Sequence, residues 1–167
     1  MNTLRNCILF VFLAALSGCG CYSFTGATIS PELKTISVQY FPNRALIVNP
    51  TFSQTFTEAL KDKIRSQTSL KLVNGMGDCN FEGEVKDYST SPVAITGSNQ
   101  AAKNRLTVTI HVKFTNSKDS KLDYDTSFTR YEDYDSSLSL DQAEKSILTD
   151  IIDQLTEDIF NKAFVNW

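Results

Sequence analysis

The sequence predicts an α+β fold: a two-layer sandwich with two helices packed on one face of a mostly antiparallel sheet of about four strands. Three observations carry that expectation. Two stretches, one from Phe52 and one from Leu140, repeat apolar side chains at three- and four-residue spacing. Several other runs alternate apolar and polar residues, the period of a half-buried strand. A tight polar turn at Asn116-Ser117-Lys118-Asp119 joins two of those runs, as antiparallel neighbours require.

Residues 1–18 read as a secretory signal rather than as part of the sandwich. Arg5 is the only charged side chain before the apolar run CILFVFLAAL at residues 7–16. That run is too short to cross a hydrocarbon core, which takes about 20 helical residues. It closes on Leu16-Ser17-Gly18-Cys19, the lipobox pattern of an apolar residue, two small residues and a cysteine. The small residues fit a peptidase cleft, and the Cys19 thiol is the atom that receives diacylglycerol. Cys21 is the poorer candidate, because Gly18 would then hold the apolar position. A processed lipoprotein cysteine carries three acyl chains, and more than one chain is what a stable anchor needs.

Cleavage leaves 149 residues of the 167, enough for one domain with a core. Loss of Arg5 takes the net charge from −3 to −4, so no overall basic footprint for nucleic acid exists. Residues 19–34, rich in Gly, Ser and Thr, read as anchor and tether; residues 35–167 read as a single domain. Cys21 and Cys79 remain in a compartment that permits disulfides and could pair. Cys79 reads equally well as a small buried apolar residue ahead of a strand. Two cysteines and one histidine at these spacings make no zinc site.

Within the domain, Ile36, Val38 and Tyr40 alternate with Ser37 and Gln39 as a first strand. Pro42, Asn43, Asn49 and Pro50 then mark a loop. Phe52, Phe56, Ala59, Leu60 and Ile64 form the apolar stripe of the first helix. Its start has two readings: Asn49 as N-cap with Pro50 at the first helical position, or Thr51 with Gln54 as a capping box. A short strand over 70–73 ends at Asn74-Gly75, and a longer one covers 81–88. The clearest strand runs over 104–114, with Leu106, Val108, Ile110, Val112 and Phe114 on one face and Arg105, Thr107, Thr109, His111 and Lys113 on the other. Residues 89–103, with Pro92 and Gly97, read as a loop long for a hairpin. A last strand covers 122–134. Ser139 with Gln142 opens the second helix as a capping box, and Ala143, Ile147, Ile151, Leu155, Ile159 and Ala163 continue its stripe toward Trp167, with Glu144 on the exposed side.

Catalytic chemistry finds no foothold. The single histidine, His111, lies mid-strand between Thr109 and Lys113 without the serine and carboxylate of a nucleophilic triad. There is no G-x-S-x-G elbow or Walker glycine loop, and Gly75-Met76-Gly77 reads as a turn. No cofactor and no metal are expected. A stand-alone lipoprotein that binds a glycan or another envelope protein is the alternative: Tyr124, Phe128, Tyr131 and Tyr134 could make a sugar platform. Alternation, however, sends Tyr124 and Phe128 to the opposite face from Tyr131.

The opening CGCYSFTGATISPE and the following TISVQYFPN resemble the lipopolysaccharide-assembly lipoprotein (LptE) family. So do TFSQTFTEALKDKI, FEGEVKDY, NRLTVTIHVKFTN and DIFNKAFVNW, in that order and spacing. The resemblance implies a four-stranded, two-helix sandwich on an outer-membrane lipoprotein. It implies as partners lipopolysaccharide and a large outer-membrane β-barrel translocon, which the domain would plug and help to fold. Gly20 is not the aspartate of inner-membrane retention, and no acidic export tag follows Cys19; both fit a periplasm-facing outer-membrane position. For such a protein, Lys103, Arg105, His111 and Lys113 form a basic stripe that could meet lipid A phosphates. The opposing reading is that Glu82, Glu84 and Asp87 on the next strand neutralise that stripe. The loop positions Thr96 and Ser98 are the candidates for barrel contact.

Overall fold

The computed structural model describes residues 29–93 and 102–165. The chain runs β1 (Thr35–Val38), α1 (Phe52–Gln67), β2 (Lys71–Leu72), β3 (Cys79–Val93), β4 (Lys103–Asn116), a 3₁₀ turn at Ser120–Leu122, β5 (Tyr124–Asp135) and α2 (Leu140–Phe164). The signal segment, Cys19, Cys21, Thr96, Ser98 and Trp167 lie outside the described residues.

All five strands join one sheet in the order β2-β1-β3-β4-β5. β3, β4 and β5 are antiparallel, but β1 is parallel to both β2 and β3. The α+β class stands, while the sheet is mixed and five-stranded rather than mostly antiparallel with about four. The reason lies in residues 73–78. Asn74-Gly75 would suit a hairpin, yet the chain leaves β2 on one side of β1 and emerges as β3 on the other. Gly77 makes that crossing against the β1 backbone: a Cβ there would lie 2.9 Å from both Cα and N of Ile36. Only a residue without a side chain crosses so closely.

α1 starts at Phe52, two residues later than the first of its two sequence readings had it, yet the capping side chain is the Asn49 of that reading. The Asn49 side-chain oxygen accepts from the backbone N–H groups of Thr51 (3.0 Å) and Phe52 (3.1 Å), whereas Thr51, at the N-cap position, provides no side-chain cap. Its buried face carries Phe52, Phe56, Leu60 and Ile64 with the small polar residues Ser53 and Thr57. α2 opens on the Ser139–Gln142 capping box. At 25 residues it is about 37 Å long, and Ile152, Phe160 and Phe164 widen its buried stripe beyond the sequence pattern.

β4 places Leu106, Val108, Ile110, Val112 and Phe114 fully inside, as alternation predicts. β3 turns Phe81 and Val85 inward until a bulge at Lys86 resets the phase, so that Tyr88 rather than Asp87 becomes buried. Phe81, Phe114 and Phe164 meet edge-on or tilted at 4.7–6.2 Å under the sheet. Ile29 and Leu33 also pack against this core, ahead of β1.

The expected loop over 89–103 is too long. Ser91, Pro92 and Val93 still pair with Arg105, Asn104 and Lys103, which leaves 94–102 as the connection. Pro92 is tolerated in a strand because β1 has ended: past the bridge of Asn43 to Val85, no strand among the described residues borders that edge of β3.

Candidate functional site

Both helices lie on one face of the sheet, and the other face of β3–β4–β5 is open and polar. Its middle row is Lys103, Arg105, Thr107, Thr109, His111 and Lys113 of β4. Glu82, Glu84, Asp87, Ser89 and Ser91 flank it from β3; Asp125, Ser127, Thr129, Tyr131, Asp133 and Asp135 flank it from β5. The basic stripe predicted from alternation is therefore real as a placement.

It is not free charge. The guanidinium of Arg105 makes two hydrogen bonds to the Asp133 carboxylate, at 2.7 and 3.1 Å, and lies 3.8 Å above the Tyr131 ring. The Lys113 ammonium sits 2.9 Å from Glu82, and His111 Nε2 lies 2.6 Å from Asp125. Glu84 leans instead toward Arg44, at 4.0 Å, and Asp87 accepts from the Ser89 hydroxyl. Lys103 is exposed and makes no ion pair among the described residues. The hydrogen bond to Asp133 raises the pKa of Arg105, the Glu82 contact raises that of Lys113, and Arg105 in turn lowers that of Asp133. Neutralisation comes from β5 as much as from β3. The sequence named only the β3 acids, because the register that puts Asp125 and Asp133 beside the stripe is a tertiary fact.

Beside this row, Tyr40, Pro42, Glu82, Glu84, His111 and Lys113 line a shallow depression of about 490 Å³. Its neighbour Gly83 lets β4 approach: a Cβ there would fall 2.0 Å from the His111 carbonyl oxygen. The aromatics of β5 do not form a platform. Tyr124 and Phe128 pack against the core, and Tyr134 is buried. Tyr131 alone faces the open side, beneath Arg105.

A polar cluster on the helix side was not legible in the sequence. The buried Tyr88 hydroxyl donates to Glu144 Oε1 at 2.5 Å, and Asn49 Nδ2 donates to Glu144 Oε2 at 2.8 Å. Burial, then the Glu144 contact, pushes the Tyr88 phenol far up and keeps it neutral. Glu144 thus joins the β1–α1 loop, β3 and α2, and is not the free surface residue its helical phase suggested. The capping role of Asn49 was the one available signal.

Cys79 is fully buried, and burial pushes its thiol up to about 11, away from reactive thiolate chemistry. Among the described residues no three His, Cys, Asp or Glu side chains are placed to hold a metal. No described helix is long and apolar enough to cross a membrane.

Comparison with solved structures recovers the same architecture in bacterial proteins, two of the three below being lipoproteins by name. A minor lipoprotein from Acinetobacter baumannii is 16% identical, with a TM-score of 0.50 over 78% of this chain and 91% of that one. The rare lipoprotein B of Shewanella oneidensis is 8% identical, with a TM-score of 0.50 over 77% and 90%. The hypothetical protein CT253 of Chlamydia trachomatis, 9% identical, reaches 0.53 over 80% and 98%. At these identities the likeness shows the fold alone. No curated protein matches by sequence. The family model described as LptE, lipopolysaccharide-assembly, matches residues 33–163, from the buried Leu33 that precedes β1 to Ala163 in the last turn of α2. The chain belongs to the LptE lipopolysaccharide-assembly family.

Proposed function

We propose that this chain is an outer-membrane lipoprotein, anchored through Cys19, that assembles with and plugs a large β-barrel translocon. In that complex it assists insertion of lipopolysaccharide into the outer leaflet. The observation that carries the reading is the family match across residues 33–163, nearly the whole described fold. The open sheet face supports it. Its hydroxyls and paired charges offer many hydrogen bonds without exposed core, the surface that a polar barrel lumen accommodates. Lipid A phosphates would first meet Lys103, which makes no ion pair among the described residues although it stands opposite Asp135; contact at Arg105, His111 or Lys113 must compete with Asp133, Asp125 or Glu82.

A photo-crosslinker at Thr96 or Ser98, in the β3–β4 connection, tests the partner. In living cells it is expected to trap one large, heat-modifiable outer-membrane barrel protein. Depletion of the chain should lower surface lipopolysaccharide and leave that barrel misassembled. No adduct from any position in residues 94–102, together with normal surface lipopolysaccharide after depletion, would sink the assembly role.

A further inference from the structure

The turn Asn74-Gly75, just after β2, has no part in the proposed assembly, yet the pair carries chemistry of its own. Asparagine is a thermolabile side chain. Its carboxamide carbon lies one ring closure away from the backbone nitrogen that follows it, and a following glycine puts no Cβ in the way. Two nearby asparagines show how this fold blocks that closure. Asn116 is buried, and its side-chain oxygen accepts from the N–H groups of Lys118 (2.9 Å) and Asp119 (3.1 Å). The nitrogen after it, that of Ser117, is engaged as a donor to the Asp78 carbonyl at 2.8 Å. The Asn80 side chain accepts from the Ser37 hydroxyl (2.6 Å) and the Gly77 N–H (2.9 Å), and donates to the Gly77 carbonyl (3.1 Å).

Asn74 has none of these restraints. Asn74, Gly75 and Met76 are all exposed. Neither the Asn74 side chain nor the Gly75 N–H makes a hydrogen bond among the described residues. A Cβ at Gly75 would meet nothing within 4 Å, so the backbone there has room to turn toward the carboxamide. The bend is fixed only at its two ends. Val73 donates its N–H to the Ile36 carbonyl at 2.9 Å, and Gly77 is bound by the Asn80 side chain.

We propose that Asn74 is a site of spontaneous deamidation in the folded protein, converted to aspartate and isoaspartate by its own backbone and water. The Gly75 nitrogen loses its proton to hydroxide and attacks the Asn74 side-chain carbonyl carbon. The bond from that carbon to the amide nitrogen breaks, and ammonia leaves behind a cyclic imide. Water then adds at either imide carbonyl: opening on one side gives aspartate, opening on the other gives isoaspartate, and nothing is oxidised or reduced. Isoaspartate routes the main chain through the former side chain and lengthens it by a carbon atom, which the exposed bend absorbs between Val73 and Gly77. Either product also places a carboxylate on the wall of a cleft of about 580 Å³ that Asn74 lines together with Lys61 and Arg65.

The test ages the full chain at mildly alkaline pH, once folded and once in guanidinium chloride. Mass spectrometry then follows the tryptic peptides covering residues 72–86 and 114–118, with fragmentation that separates isoaspartate from aspartate. An exposed turn without hydrogen bonds needs no opening to react, so the folded rate at Asn74 should lie within about threefold of its denatured rate. Asn116 should react in denaturant and stay intact in the folded chain, because its bonds must first open. Gly75→Ala has room for its Cβ, so it should keep the parent denaturation midpoint while suppressing the reaction at Asn74. Aged wild type should still unfold cooperatively, with faster amide exchange at Val73. A folded rate at Asn74 far below its denatured rate, or the same ratio at Asn74 and Asn116, would overturn the proposal. So would a rate untouched by Gly75→Ala, product confined to molecules that no longer unfold cooperatively, or no product in either form.

Discussion

Glu144 shows what a single residue can hide from a helical wheel. Its phase on α2 points to solvent, yet it receives the buried Tyr88 hydroxyl and the Asn49 amide. Glu144→Ala leaves the Tyr88 hydroxyl buried without its acceptor and should cost about 1–3 kcal/mol. The exposed neighbour Lys145→Ala should stay within roughly 0.5 kcal/mol. Urea midpoints compare the two, and equal values would remove the cluster from the stability of the fold. Combining Glu144→Ala with Tyr88→Phe should cost less than the sum of the single changes, because the orphaned donor is then gone. Asp78 gives the pH counterpart. One of its carboxylate oxygens accepts from the backbone N–H groups of Lys34 and Thr35 and from the Thr35 hydroxyl, each at 2.9 Å. Those bonds to Lys34 and Thr35 lower its pKa in the folded state. The unfolded chain therefore binds the proton more tightly, and the contribution of Asp78 is present above about pH 4 and lost as pH falls through the lowered value. The midpoint gap between wild type and Asp78→Asn should accordingly narrow from about pH 5 to about pH 2.

At the scale of elements, periodicity was most legible where one face alone is buried. The β4 alternation and the α2 stripe read directly, because burial repeats at two and at 3.6 residues. Ile151 and Leu155 are both fully buried mid-stripe; alanine at either should cost about 2–5 kcal/mol, read as a drop in thermal midpoint far larger than that of Lys145→Ala. What stayed illegible depends on neighbours in space. The β2–β3 connection read only as a turn that ends a short strand, since neither Asn74-Gly75 nor Gly77 reveals that the chain must cross Ile36. Residues 89–93 looked like loop because Pro92 argues against a strand, and it is acceptable there because no strand among the described residues borders that edge. The polar β4 row was visible, but its partners on β5 required the register. Gly83 is the sharpest local test of that register. Its Cβ would press on the His111 backbone oxygen, which cannot yield as a flexible side chain would. Gly83→Ala should therefore destabilise by about 1–3 kcal/mol or more, with loss of amide protection along β3 and β4.

At the scale of the whole molecule, the question is how the sandwich relates to the segment that precedes it. The core draws on Ile29 and Leu33 but otherwise on residues from Ile36 to Val165. The family match likewise begins at Leu33. The energetics of folding are therefore seated well past Cys19, and attachment and folding should separate cleanly. Cys19→Ala is expected to abolish incorporation of a palmitate analogue and to leave an unprocessed precursor or a soluble form. Its sandwich should still unfold cooperatively, with a urea midpoint within roughly 0.5 kcal/mol of the parent. Cys21→Ala should leave labelling intact. Because Cys79 is already buried among apolar neighbours, the Cys21 variant should also keep its stability if no disulfide forms; a loss of about 2–4 kcal/mol, reproduced by reductant, would reveal a Cys21–Cys79 bridge. Labelling that survives Cys19→Ala and disappears in Cys21→Ala would move the lipid two residues along the chain, shorten the tether by the same amount, and break the lipobox assignment while leaving the fold untouched.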